Sequence, residues 1–179
     1  DALRGDILTP LNLTELVDLK RYPDATSDIV ALLVVEHQTH LQNFIARLNY
    51  EATTALAQYG HLNYLKSKID ALARAMLLSE EAEWTNPIAG TSGFTAWFEQ
   101  QGPHDDQKRS LRDLDLQEHL FKYPCSYLIY SDAFNALPGE IKKPIYLKIW
   151  AALDETTANS DKIKAAPDLK RATKEILIQ

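Results

Sequence analysis

The chain has 179 residues, 45% of them hydrophobic and 25% charged, with 6 glycines and 8 prolines. That is the make-up of one soluble globular domain with a sizeable core, and it argues against long disorder or an all-β fold. With 19 basic against 25 acidic residues the net charge is −6, which speaks against a general nucleic-acid surface and against electrostatic binding to anionic lipid.

Cys125 is the single cysteine, so no intrachain disulfide forms. No apolar run approaches the roughly 18 residues of a membrane span. The chain opens on Asp1 rather than Met, which leads us to expect a processed product or a piece of a longer protein.

Residues 1–26 read as an extended arm, with a helical turn around Thr14–Lys20, and 27–179 as one helical domain. Ser27 is placed to cap a long helix with Asp28 in its first turn, where the dipole favours a carboxylate. That helix, from about 28 to 58, stops at Gly60 and is expected to be central and largely buried. A second helix over 62–78 carries Leu62, Leu65, Ile69, Leu72 and Met76 at helical spacing and folds back as a hairpin.

Pro87, Gly90 and Gly93 then break the chain, and Ser92 can cap a short helix with Phe94, Trp97, Phe98 and Gln101 on one face. A charged loop, "GPHDDQKRS", leads to an expected helix over 113–122. Tyr127, Tyr130, Phe134 and Leu137 predict another over 124–137, with a strand at "CSYLIY" as the rival. A helix over 140–153 should face Ile141, Ile145, Ile149 and Trp150 inward, with Pro144 near its start or bending it. A last helix spans about Pro167 to Leu177.

The long helix raises the functional question. At about 100° per residue, Glu36, His40, Asn43, Arg47 and Glu51 form one polar ridge. Leu33, His37, Leu41, Phe44, Leu48 and Ala52 flank it on one side, Leu32 and Tyr50 on the other, and Gln38, Gln42 and Asn49 mark the plain solvent sector. The ridge should therefore fall inside the buried arc, where charges must be paired or must coordinate something.

Three readings follow. Glu36, His40, Arg47 and Glu51 can pair along the helix as a structural network. They can instead form a site for a transition metal, with Glu36, His40 and Glu51 as ligands and His61, His104, His119 or Asp132 converging on it, or for non-covalent haem, with His37 or His40 as axial ligand. Covalent haem is excluded by the lack of C-x-x-C-H. Lastly, Glu36, His40, Arg47 and Asp132 can supply acid–base catalysis.

Other candidates have plain alternatives. His119 and Cys125 can pair as base and nucleophile, although a buried apolar cysteine is the simpler reading. "PIAGTSGF" offers N–H groups to an anion, or is a capped turn. It is neither G-x-S-x-G nor a P-loop.

Three stretches, "SDIVALLVVEHQTHLQNFIARLNYE", "PIAGTSGF" and "SLRDLDLQEHLFKYPCSYLIYSDAFNALP", resemble the C-terminal half of a family of uncharacterised exported bacterial proteins, some found alongside c-type cytochromes. The resemblance covers roughly residues 20–155. It implies a helical domain in a periplasmic or otherwise extracytoplasmic redox setting, partnered by a redox protein or by another domain of the same polypeptide. The expectation is an accessory or binding domain holding haem or a metal beside the ridge. The alternatives are an enzyme built on the Glu/His/Arg/Asp cluster and an interaction scaffold whose ridge is structural.

Overall fold

The computed structural model describes residues 28–81, 84–154, 163 and 165–178. The arm over 1–26 and Ser27 lie outside the described residues. The fold is mainly α, as its periodicity predicts, with six helices among the described residues: α1 (Ile29–Tyr59), α2 (Lys66–Met76), α3 (Phe94–Glu99), α4 (Asp132–Asn135), α5 (Gly139–Ala152) and α6 (Pro167–Ile178).

Helix α1 is the expected long central element, and both of its ends have local causes. Asp28, one residue later than expected for the cap, is extended and accepts the N–H groups of Val30 and Ala31 at 2.9 and 3.1 Å. At the other end Gly60 turns left-handed, with φ of 69°, and its N–H reaches the Leu56 carbonyl. Along α1, Val30, Val34, Leu41, Ile45, Leu48, Ala52 and Ala55 are buried and occupy about a quarter of the circumference at about 100° per residue. Each large aliphatic among them contributes roughly 1.5–3 kcal/mol. Burial is confined to that side.

Helix α2 starts with the 3-10 turn Asn63–Leu65, and Leu65, Ile69, Leu72 and Met76 pack inward as their spacing predicts. It is the middle layer, in contact with α1 on one side and α5 on the other. In α5, Ile141, Ile145 and Ile149 are buried, but Trp150 is 43% exposed, so that part of the expected inward face is corrected. Pro144 lies inside α5, where its missing N–H leaves the Glu140 carbonyl without its helical donor. Helices α3 and α4 and the 3-10 turn Tyr127–Tyr130 all reach α1.

Two expected helices do not form. Over 113–122 the chain makes an isolated antiparallel bridge, Leu114 to Phe121, closed by the Leu116 N–H on the His119 carbonyl at 2.9 Å. Asp115 is the cause: its carboxylate accepts the N–H groups of Glu118 and His119, both at 2.9 Å, and so competes with the helical ladder. Leu116 takes a φ of 58° in the same turn.

Over 124–137, Ser126 and Ser131 are both extended, and their hydroxyls accept the N–H groups of Leu128 and Phe134. Each serine starts a new short element, so the predicted helix and the rival strand both give way to the 3-10 turn and α4. Consecutive burial of Tyr127, Leu128 and Ile129 also leaves that stretch no single helical face.

Candidate functional site

The polar ridge is not buried. Glu36, His40, Asn43 and Arg47 are exposed, and Glu51 is half-covered. Arg47 Nε donates to Glu51 at 3.0 Å, and Lys68 from α2 donates to the other carboxylate oxygen. Hydrogen bonds from Lys68 and then Arg47 hold the Glu51 carboxyl below its usual range, against a smaller effect of burial. Part of the expected ion-pair network is therefore present, linking α1 to α2. Among the described residues, no group of three or more His, Cys, Asp or Glu side chains is arranged to hold a metal.

His37 does turn inward. Its Nε2 lies 2.8 Å from the Ser126 hydroxyl, and its ring sits 4.8 Å from that of Phe121 and 6.1 Å from that of Tyr127. Burial, with a smaller effect of His40, lowers its pKa to about 4. It is a neutral interior imidazole with Nε2 already engaged, and an axial role toward haem through Nε2 would require breaking that bond.

The sector taken for plain solvent surface is where a site opens. Gln38 and Gln42 line a cleft of about 460 Å³ together with Arg112, Tyr127, Ser131 and Asp132. Gln38 is partly buried, and its Oε1 accepts the Tyr127 hydroxyl at 3.0 Å. The guanidinium carbon of Arg112 stands 4.3 Å from the Tyr127 ring centre and 4.7 Å from that of Phe98. Those two rings are nearly perpendicular, at 80°, so the cation rests in the corner between them.

Gly102 leaves room for this arrangement. A Cβ there would lie 3.0 Å from Arg112 Nε, and its φ of 88° suits glycine alone. Burial lowers the Arg112 pKa while Tyr127 pulls it back up, and the group stays protonated at neutral pH. Among the described residues no carboxylate pairs with it. Nothing in the pattern of "SLRDLDL" marks Arg112, because its two aromatic partners arrive from α3 and from the 127–130 turn.

Asp132 stands in the first turn of α4, exposed and on this cleft. Glu36, His40 and Arg47, proposed with it for acid–base catalysis, do not line this cleft.

A second cleft, of about 490 Å³, is lined by Glu81, Asp115, Glu118, His119 and Lys122 over an apolar floor that includes Phe121 and Leu169. Burial raises the Glu81 carboxyl above its usual range, opposed by His119 and the Leu120 N–H. There burial outweighs both, and the Glu81 carboxyl ionises less readily than usual. Cys125 is fully buried, and desolvation pushes its thiol up to about 12, which removes it as a nucleophile at neutral pH.

The "PIAGTSGF" loop does bind an anion, and the anion is the chain's own. Ser92 N–H donates to Asp28 Oδ2 at 3.0 Å and the Ser92 hydroxyl does so as well, docking the loop on the start of α1. The charged loop around "HDDQKR" is tied down as well. The Asp105 side chain is buried and accepts Arg109 Nε at 2.6 Å, while Arg109 Nη2 reaches Glu175 of α6 at 2.7 Å.

Fold and site together define a class: a mainly α domain with a partly buried cation, Arg112, on an open cleft. No protein-family model matches the chain, and no curated protein and no solved structure matches it either.

Proposed function

We propose that this chain is a binding domain, the accessory rather than the reacting part of an exported bacterial redox system, and that its ligand presents an anionic group to Arg112. The exported redox setting, and a redox protein or further domain as partner, rest on the sequence resemblance. The binding role rests on one observation: a partly buried guanidinium on an open cleft, bonded to no carboxylate among the described residues.

Taking a charge out of water costs several kcal/mol unless something replaces the lost solvation. Contacts with Phe98 and Tyr127 return about 0.5–2 kcal/mol. A carboxylate or phosphate accepting from the planar guanidinium supplies the rest, with two parallel hydrogen bonds. The exposed ridge residues Glu36 and His40 give a metal less to hold than this cleft gives an anion.

Calorimetric titration with small carboxylates and inorganic phosphate tests the reading, on the chain and on Arg112→Met and Arg112→Lys. Saturable binding is expected for the chain, loss for Arg112→Met, and about tenfold weakening for Arg112→Lys, which keeps the charge and loses the fork. Absence of binding by any of these anions at millimolar concentration sinks it.

A further inference from the structure

We infer that the ligand of the Arg112 cleft is a small zwitterion of the α-amino-acid type, its carboxylate on Arg112 and its ammonium on Asp132. The inference rests on the binding role proposed above and specifies its ligand.

Two groups of opposite charge line the same cleft, Arg112 from the 110–114 segment and Asp132 from the start of α4. They do not pair with each other, and among the described residues neither has another ionic partner. Opposite charges that share a cleft without bonding to each other are complementary to a molecule whose ammonium and carboxylate are carried on one carbon. An α-amino acid does so.

A simple anion fits less well. Its charge would meet Asp132 as well as Arg112, and a like charge in a partly desolvated cleft weakens binding. The net charge of −6 adds a general repulsion toward phosphate and dicarboxylates, and none toward a neutral zwitterion.

The rest of the cleft suits such a guest. About 460 Å³ falls in the range of roughly 300–1,000 Å³ typical of small-molecule sites. Gln38 already accepts the Tyr127 hydroxyl, so its amide N–H groups remain as donors. Tyr130 and Gln42 offer mixed aromatic and polar surface to a side chain.

The test compares four probes by titration calorimetry at one ionic strength: L-alanine, propionate, ethylamine and inorganic phosphate, against the chain, Asp132→Asn and Arg112→Met. Thermal melts of the three proteins confirm that each is folded. L-Alanine should bind at least tenfold tighter than propionate, ethylamine or phosphate. In Asp132→Asn that preference over propionate should vanish while propionate binding holds or improves, and Arg112→Met should lose both carboxylates. Propionate or phosphate matching L-alanine, or a preference unchanged in Asp132→Asn, overturns the zwitterion while leaving the anion site standing. If neither carboxylate nor phosphate binds at all, the binding role itself fails, and the zwitterion with it.

Discussion

His37 makes the clearest case at the scale of a single side chain. Its ring lies among Phe121, Tyr127 and the Ser126 hydroxyl, and desolvation, helped by His40, lowers its pKa from 6.5 to about 4. Between those values the unfolded chain takes up a proton that the folded chain refuses, so stability rises with pH through that window. Its contribution is intact above pH 6.5, declines as pH falls, and is fully lost below pH 4. The drop in pKa sets a ceiling of about 3 kcal/mol on that loss. Urea denaturation between pH 4 and 7 should show it, and His37→Gln should flatten the profile in that window. An unchanged profile in His37→Gln would assign the acid sensitivity to other groups. Sequence alone placed His37 beside Leu33, Leu41 and Phe44 and so marked it as inward. It could not supply Ser126, 89 positions away, and that partner decides between a free ligand nitrogen and a satisfied core histidine.

At the scale of elements, Asp28 joins two of them. One carboxylate oxygen caps α1 and the other receives Ser92, so a single side chain ends a helix and docks the 90–94 loop. Burial works against its ionisation, but hydrogen bonds from the Ser92 hydroxyl and from the Ala31, Ser92 and Val30 N–H groups outweigh it and lower the pKa. Asp28→Ala should cost about 1–2 kcal/mol, at the upper end for a lost cap because the loop is released too. Chemical denaturation measures it, and a loss that survives in a Ser92→Ala background without change would mean that cap and loop act separately. The Asp28 contribution is present above the ordinary carboxylate pKa and is lost as pH falls through the lower folded value. Helices α1, α2, α5 and α6 were legible because apolar spacing and a glycine or proline agree at their ends. The segments 113–122 and 124–137 were not, because Asp115, Ser126 and Ser131 bond to local backbone, and hydrophobic spacing is blind to that competition.

For the molecule as a whole, the ridge on α1 becomes part of the surface. Replacing Glu36 and His40 together by glutamine should leave the thermal midpoint almost unmoved, within about 0.5 kcal/mol, as for other solvent-facing positions. A buried and functional ridge would instead lose several kcal/mol, and a fall of that size in the melting curve would refute the exposed placement.

The amino-acid order by itself determined a mainly α domain, the long helix ending at Gly60, and the apolar face of α2, because a 3.6-residue repeat acts within one element. Which side of α1 met the rest of the chain was decided only on folding. Both flanks of the ridge carry apolar residues, so periodicity left the choice open. Packing of α2, α3, α4 and the 127–130 turn chose the side of Leu41, Ile45 and Leu48. That choice exposed Glu36, His40 and Arg47 and half-buried Gln38. It also placed Arg112, Tyr127 and Asp132 around one cleft, a juxtaposition of distant segments that no local pattern encodes.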